Sequence, residues 1–293
     1  MSSPNELNLQ KLCEIFDLKK PPEERKQLDA LFDIYKTLPK FGPSLLTIAC
    51  SKDENLSNEI CFGAAIQLKN YIKENWKFSE DNNLNNQLVF SNEKIIIISQ
   101  EDKNFIRKNI LDGIKYITEK ENIKILKQFT QCIKKILKAD YKDIWKNDFL
   151  KCVIDCINSQ NQKIIYAGII LFYQLSKIYE FEDDENQDIY CEALKLVNDK
   201  FIYYIDMCKN MQNNVEALIL YKLFKIFLKN FQGSVPSYII SNLDVYRNWN
   251  NYLILILKTP LNNQYINDTN SIFWKLKRVC FQIITRVTQK YKN

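Results

Sequence analysis

Apolar residues recur along almost the whole chain at the spacing of helices rather than strands. In residues 61–76, CFGAAIQLKNYIKENW, the positions Cys61, Ala65, Leu68, Ile72 and Trp76 follow one another at steps of 4, 3, 4 and 4. That is one stripe of an α-helix. Gln67, Asn70, Lys73 and Glu74 fall on other faces of the same helix. Gly63 costs about 1 kcal/mol against Ala in a helix interior, so it predicts a close approach by a neighbouring element. Trp76 and Trp145 read as core anchors, each able to bury up to about 250 Å2.

Start signals mark further helices. Pro21 and Pro22 lead into EERKQLDALFDIYKTL, with acidic residues at the positive end of the helix dipole. Pro43 is expected to open SLLTIACS. Ser99 with Asp102 has the spacing of a capping box before KNFIRKNILDGIKYI. Asp140 or Asp143 is expected to cap DIWKNDFLKCVIDCINS. The predicted helices form pairs: 6–18 with 22–38, 43–51 with 56–76, 99–118 with 121–139, 143–158 with 161–180, and 187–209 with 213–231. Two or three more are expected between 235 and 292. First helices start roughly 36, 56, 44 and 44 residues apart, and two-helix units of about 40–47 residues are the signature of HEAT arrays. The long interval contains an Asn-rich polar stretch, 77–98, which reads as an inserted loop. The expected fold is therefore all-α, a right-handed HEAT-repeat solenoid of about six repeats spanning 1–293 as one array, in which stacked pairs share a continuous core and leave an extended concave face.

Composition agrees with helices and narrows the chemistry. The 293 residues include only 5 glycines and 7 prolines, few for a strand-rich fold. No histidine is present. This removes Ser-His-Asp and Cys-His nucleophile pairs and the HExxH zinc site. With no Gly-rich phosphate loop either, neither a catalytic residue nor a cofactor is expected. The 9 cysteines are scattered, and an odd number with no secretory leader predicts reduced thiols in a cytosolic or nuclear protein. Cys152 and Cys156 share a helix face, but no second ligand pair accompanies them, so they read as packing rather than a metal site. The longest apolar run, residues 164–173, is half the length of about 20 residues that a bilayer requires. No membrane partner is expected. The formal charge of +6 is distributed along helices, which reads as solvated lysine faces before it reads as a nucleic-acid patch.

An ordered series of residues resembles the N-terminal domain of the importin-β family of nuclear transport receptors. It runs through Arg25, Leu28, Asp29 and Phe32, then Phe41, Leu45 and Leu46, then Ala65, Leu68-Lys69-Asn70, Ile72 and Trp76. The likeness continues through ISQEDKNFIRKNILDGI, through Gln128, Cys132, Ile133 and Ile136, and through the corner ADYKDIW. AGIILFYQLSKIYEFE and FWKLKRVCFQIITRVTQKY are similar to the importin seven/eight branch in particular. Residues 183–269 match only as a generic helical pattern. Three positions depart from the family pattern: Cys61 and Leu126 stand where Arg is common, and Lys142 where the corner has Pro. Family members are usually about three times as long, so the resemblance implies an N-terminal piece.

The resemblance implies that residues 22–100 form the Ran-binding region and that second helices of the early units line a concave side and contact Ran in its GTP state. Lys69, Asn70 and Lys73 are the first candidates for that contact, with Asp29 and Gln128 as further ones. It also implies basic cargo such as ribosomal proteins or histones, FG-nucleoporins as partners, and shuttling between cytoplasm and nucleus. An exportin of the same family would look alike in this region. A helical-repeat scaffold that binds RNA through Lys134, Lys135 and Lys138 is the alternative outside transport.

Overall fold

A computed structural model describes residues 7–17, 20–77, 96–181, 184–232, 235–261 and 263–290. The predicted loop at 77–98 lies, from 78 to 95, outside the described residues. Every regular element among the described residues is helical. No helix among them is long and apolar enough to cross a membrane. Two compact units divide the chain, residues 1–145 and 146–293.

The first unit contains α1 (Leu9–Phe16), α2 (Pro22–Tyr35), α3 (Phe41–Ala49), α4 (Asn58–Asn75), α5 (Gln100–Glu119) and α6 (Ile123–Asp140), then a π-helical turn, Tyr141–Trp145. Neighbouring helices pair as α1 with α2, α3 with α4 and α5 with α6. The pairs then stack with first helix on first helix, α3 on α5, and second on second, α4 on α6. Each pair is apolar on more than one side, so only this stacking removes the remaining apolar face from water. Phe16, Phe32, Phe41 and Tyr71 run edge to face through this core, with ring centroids 6.0, 5.6 and 5.1 Å apart. Gly63 lies under Phe16, whose Cβ would be 3.2 Å from any Cβ at that position. The expected close approach is therefore α1 seated on α4.

The second unit contains α7 (Lys146–Ile157), α8 (Gln162–Ile178), α9 (Asp184–Cys208), α10 (Asn214–Lys229), the short α11 (Ser237–Ser241), α12 (Leu243–Lys258), the short α13 (Asn263–Ile266) and α14 (Ile272–Lys290). Here α7 packs on α8 and α9, and α10 packs on α8, α9 and α14. Gly168 of α8 allows the closest approach, because a Cβ there would stand 2.7 Å from the Cβ of Cys156 and 3.2 Å from the carbonyl oxygen of Val153. Phe227 stacks on Trp249 at 4.6 Å, and the indole N–H of Trp249 donates to Asn198 Oδ1 at 3.0 Å.

Helix ends correct the sequence reading in three places. Pro43 does not open α3. The helix begins at Phe41, and Pro43 sits in its first turn, where a missing N–H costs nothing. Ser99 does cap α5, accepting from the Asp102 N–H at 3.1 Å, but the Asp102 carboxylate does not reach back to Ser99. It accepts instead from the Lys40 N–H at 2.8 Å and thereby holds Lys40 in the left-handed region, at φ 65°. Neither Asp140 nor Asp143 caps a helix. Residues 141–145 continue as the π-helical turn, and Asp140 is consumed in the core. The asparagines have a structural role that composition did not show. Asn8, Asn122, Asn161, Asn213 and Asn242 are all N-caps whose side chains accept from a backbone N–H of the first turn.

Candidate functional site

Burial on α4 sorts its residues as the stripe requires. Leu68 and Ile72 are fully buried, and Trp76, just beyond the last turn, is 1% exposed. Lys69 and Asn70 are half-buried, and Lys73 is exposed. On α6 the buried set is Ile125, Phe129, Cys132, Ile133, Ile136, Leu137 and Asp140. Its complementary face carries Lys127, Gln131, Lys134 and Lys138, at steps of 4, 3 and 4. Because α4 and α6 stack side by side, the two polar faces converge on one open groove of about 650 Å3.

Six lysines and two glutamines line this groove, with no carboxylate among them: Lys69 and Lys73 from α4, and Lys127, Gln128, Gln131, Lys134, Lys135 and Lys138 from α6. Mutual repulsion is visible at Lys135. Burial first, and then the charges of Lys77, Lys138 and Lys73, pull its pKa down from the ordinary lysine value. The Cys132 thiol lies beneath, pushed up by burial, with Lys69 as the main opposing influence. An array of six ammonium groups with no carboxylate among its lining residues, its only side-chain acceptors being two glutamine oxygens, is suited to receive anionic or carbonyl groups from another molecule.

Of the five candidates drawn from the sequence, Lys69, Lys73 and Gln128 meet in this groove. Asn70 does not line it, and Asp29 is exposed on α2, away from it. Lys127 and Gln131 line the groove and were overlooked. The signal that finds them is the polar heptad-like step pattern opposite the buried stripe of α6.

The groove rests on a buried polar support. The Trp76 indole N–H donates to Asp140 Oδ2 at 3.0 Å, and Arg107 Nη1 pairs with the same oxygen at 2.5 Å. Arg107 also donates to Asn104 Oδ1. Lys103 stands 5.8 Å over the Trp76 ring and the Arg107 guanidinium 5.9 Å from it. Burial lowers the Lys103 pKa, and the Asp140 charge works against that fall. Trp76, which ends α4, is thus tied to Asp140, which ends α6, so the two walls of the groove are joined at one end.

The fold class is shown by likeness to a solved structure, the exportin Cse1 in its cargo-free, cytoplasmic state. The TM-score is 0.78 at 17% sequence identity, over 97% of this chain and 30% of that one. This is an all-helical, HEAT-repeat solenoid fold. The sequence adds a family likeness. Residues 29–115 match the importin-beta N-terminal domain. Importin-8 of Danio rerio is 26% identical over 278 residues, covering 88% of this chain and 25% of the relative. Exportin-2 of Danio rerio is 27% identical over 268 residues, covering 86% and 25%. The chain is thus similar to the importin-β family in its N-terminal third and to importin and exportin relatives along most of its length, and it spans about a quarter of the length of these relatives.

Proposed function

We propose that this chain contributes the Ran-binding region of a nuclear transport receptor, with the groove between α4 and α6 receiving the GTPase in its GTP state. The observation that carries this reading is the convergence of Lys69, Lys73 and Gln128 on one groove from second helices of consecutive pairs. A wall of lysines pairs with carboxylates on an incoming protein and accelerates encounter with it, while the glutamine amides bond backbone groups. Asn70, half-buried beside Lys69 on α4, and Asp29, exposed on α2, meet the partner only at the edge of such a contact.

Transport then follows as binding linkage. Two ligands that share one receptor change each other's affinity by the same factor. In an import receptor, Ran-GTP and cargo oppose one another, and cargo such as ribosomal proteins or histones is released in the nucleus. In an exportin they bind together, an alternative that the likeness to exportin-2 supports alongside the likeness to importin-8. Shuttling between cytoplasm and nucleus through FG-nucleoporin contacts completes either cycle.

The test immobilises the 293-residue chain and measures retention of Ran loaded with GTP or with GDP. Ran-GTP is expected to bind at least tenfold more tightly. The double reversal Lys69→Glu, Lys73→Glu is expected to weaken that binding by roughly tenfold, since exposed charge pairs contribute about 0.2–1 kcal/mol each and reversal converts attraction into repulsion. Equal retention of the two nucleotide forms refutes the proposal.

A further inference from the structure

A second face, in the second unit, is rich in lysines and tyrosines. Lys222, Lys225 and Lys229 follow one another along α10 at steps of 3 and 4, so they share one side of that helix. Tyr173 and Lys177 hold the same relation on α8, which packs against α10. The Lys222 ammonium lies 4.8 Å from the Tyr173 ring and 5.8 Å from the Tyr221 ring. Lys177 lies over the Tyr173 ring at 4.4 Å, and Lys225 over the Tyr221 ring at 5.7 Å. Among the described residues the one carboxylate at this face is Glu180, which pairs with Lys229 at 2.8 Å and also acts on Lys225 from farther off. Lys222 and Lys225 have no carboxylate partner among the described residues, and the Tyr173 and Tyr221 hydroxyls have no hydrogen-bond partner among them. The cationic stripe continues into an open groove of about 550 Å3 between α10 and α14, where Lys225, Lys229 and Arg286 stand with no carboxylate in the lining.

Ammonium groups and phenol hydroxyls without acceptors call for an anionic ligand. Ring quadrupoles offset only part of the desolvation of Lys222, and a carboxylate would complete it. Nucleobases bind such surfaces by stacking on open aromatic faces. Here the rings already carry lysines over them, so stacking platforms are missing while the charges remain available.

We infer that the α8–α10 face around Tyr173, Tyr221, Lys222 and Lys225 is a docking surface for an acidic protein segment. This goes beyond the Ran reading and does not depend on it, since all of these residues lie in the second unit. Burial, and to a lesser degree Lys225, lowers the Lys222 pKa to about 8. The charged groups facing it are Lys177 from α8, Glu180 beyond the end of α8, Lys225 and Lys229 from its own helix, and Arg278 of α14 beside Tyr221. A bound carboxylate favours the protonated amine and raises that pKa. Affinity is therefore full below about pH 8 and falls as pH rises through the raised value.

The experiment titrates a fluorescein-labelled hexaglutamate peptide into the full chain at low salt, followed by anisotropy, beside a labelled hexauridylate of similar charge. Lys222→Met with Lys225→Met keeps the stems that pack on the rings and removes the charges. Hexaglutamate is expected to lose at least tenfold in affinity for this variant. Lys151→Met with Lys258→Met, two exposed lysines outside both basic grooves, is the control and is expected to stay within about twofold of the unaltered chain. Unchanged hexaglutamate affinity in the Met variant overturns the inference, as does a peptide that fails to bind the unaltered chain. Tighter binding of hexauridylate that the same variant abolishes also overturns it, and makes the face a nucleic-acid surface. Because Ran retention is measured on Lys69 and Lys73, failure of one reading leaves the other standing.

Discussion

Asp140→Asn isolates the support beneath the basic groove. The substitution preserves shape and removes one charge. It leaves Arg107, whose side chain is 5% exposed, without its counter-ion, and the Trp76 N–H with a weaker acceptor. Lys103, over the same indole and also buried, loses the attraction that supports its charge. Breaking a buried ion pair from one side costs about 3–5 kcal/mol, because the remaining charge cannot reach water. At about 2–4 °C per kcal/mol for a protein of this size, the melting temperature falls by roughly 6–20 °C. Circular dichroism at 222 nm, with indole fluorescence as a second probe, measures it. Asp143→Asn, three residues on and exposed, is the control and shifts stability by no more than about 0.5 kcal/mol. Equal melting temperatures for the two variants would refute the reasoning, since Asp140 would then be no more engaged than a surface carboxylate. Arg107→Met combined with Asp140→Leu recovers part of the loss if the uncompensated charge, rather than lost packing, is what destabilises the single variant.

Two further outcomes follow from packing and charge. Gly168→Ala drives a methyl group to 2.7 Å from the Cys156 Cβ and toward the Val153 carbonyl. It is expected to destabilise by about 1–3 kcal/mol, read as a lowered denaturant midpoint, and an unchanged midpoint would mean α7 and α8 can separate freely. Lys222→Met is expected to be more stable than the unaltered chain at neutral pH. The folded state resists charging this amine, so the unfolded chain holds the extra proton between about pH 8 and the ordinary lysine value of 10.5. Stability of the unaltered chain therefore rises, relative to the variant, across that window. A difference independent of pH would contradict the assignment to Lys222.

Helices were legible because burial imposes a period. Residues 61–76 show a stripe whose members are all inside, and the scarcity of glycine and proline excluded the turns that strands require. Paired spacing gave the repeat, since each pair has an apolar side that only a neighbour can cover. Helix ends were less legible. Asp140 looks like a cap in sequence, and only the fold brings it to Trp76 and Arg107, 64 and 33 residues away. Asp102 likewise has capping-box spacing but serves Lys40, 62 residues upstream. In the candidate groove, Lys69, Lys73 and Gln128 stand together because α4 and α6 stack, a relation that no local period encodes. Lys127 and Gln131 occupy solvated positions, and such positions read alike whether or not they line a groove.

The Trp76–Asp140 bond also sets a clock for the nascent chain. With 64 residues between donor and acceptor, and ribosomes adding about 5–20 residues per second, the indole is made about 3–13 s before the aspartate that satisfies it. Throughout that interval α4 has α1 and α3 to pack on but lacks α6, and the indole N–H at its end has only water to bond.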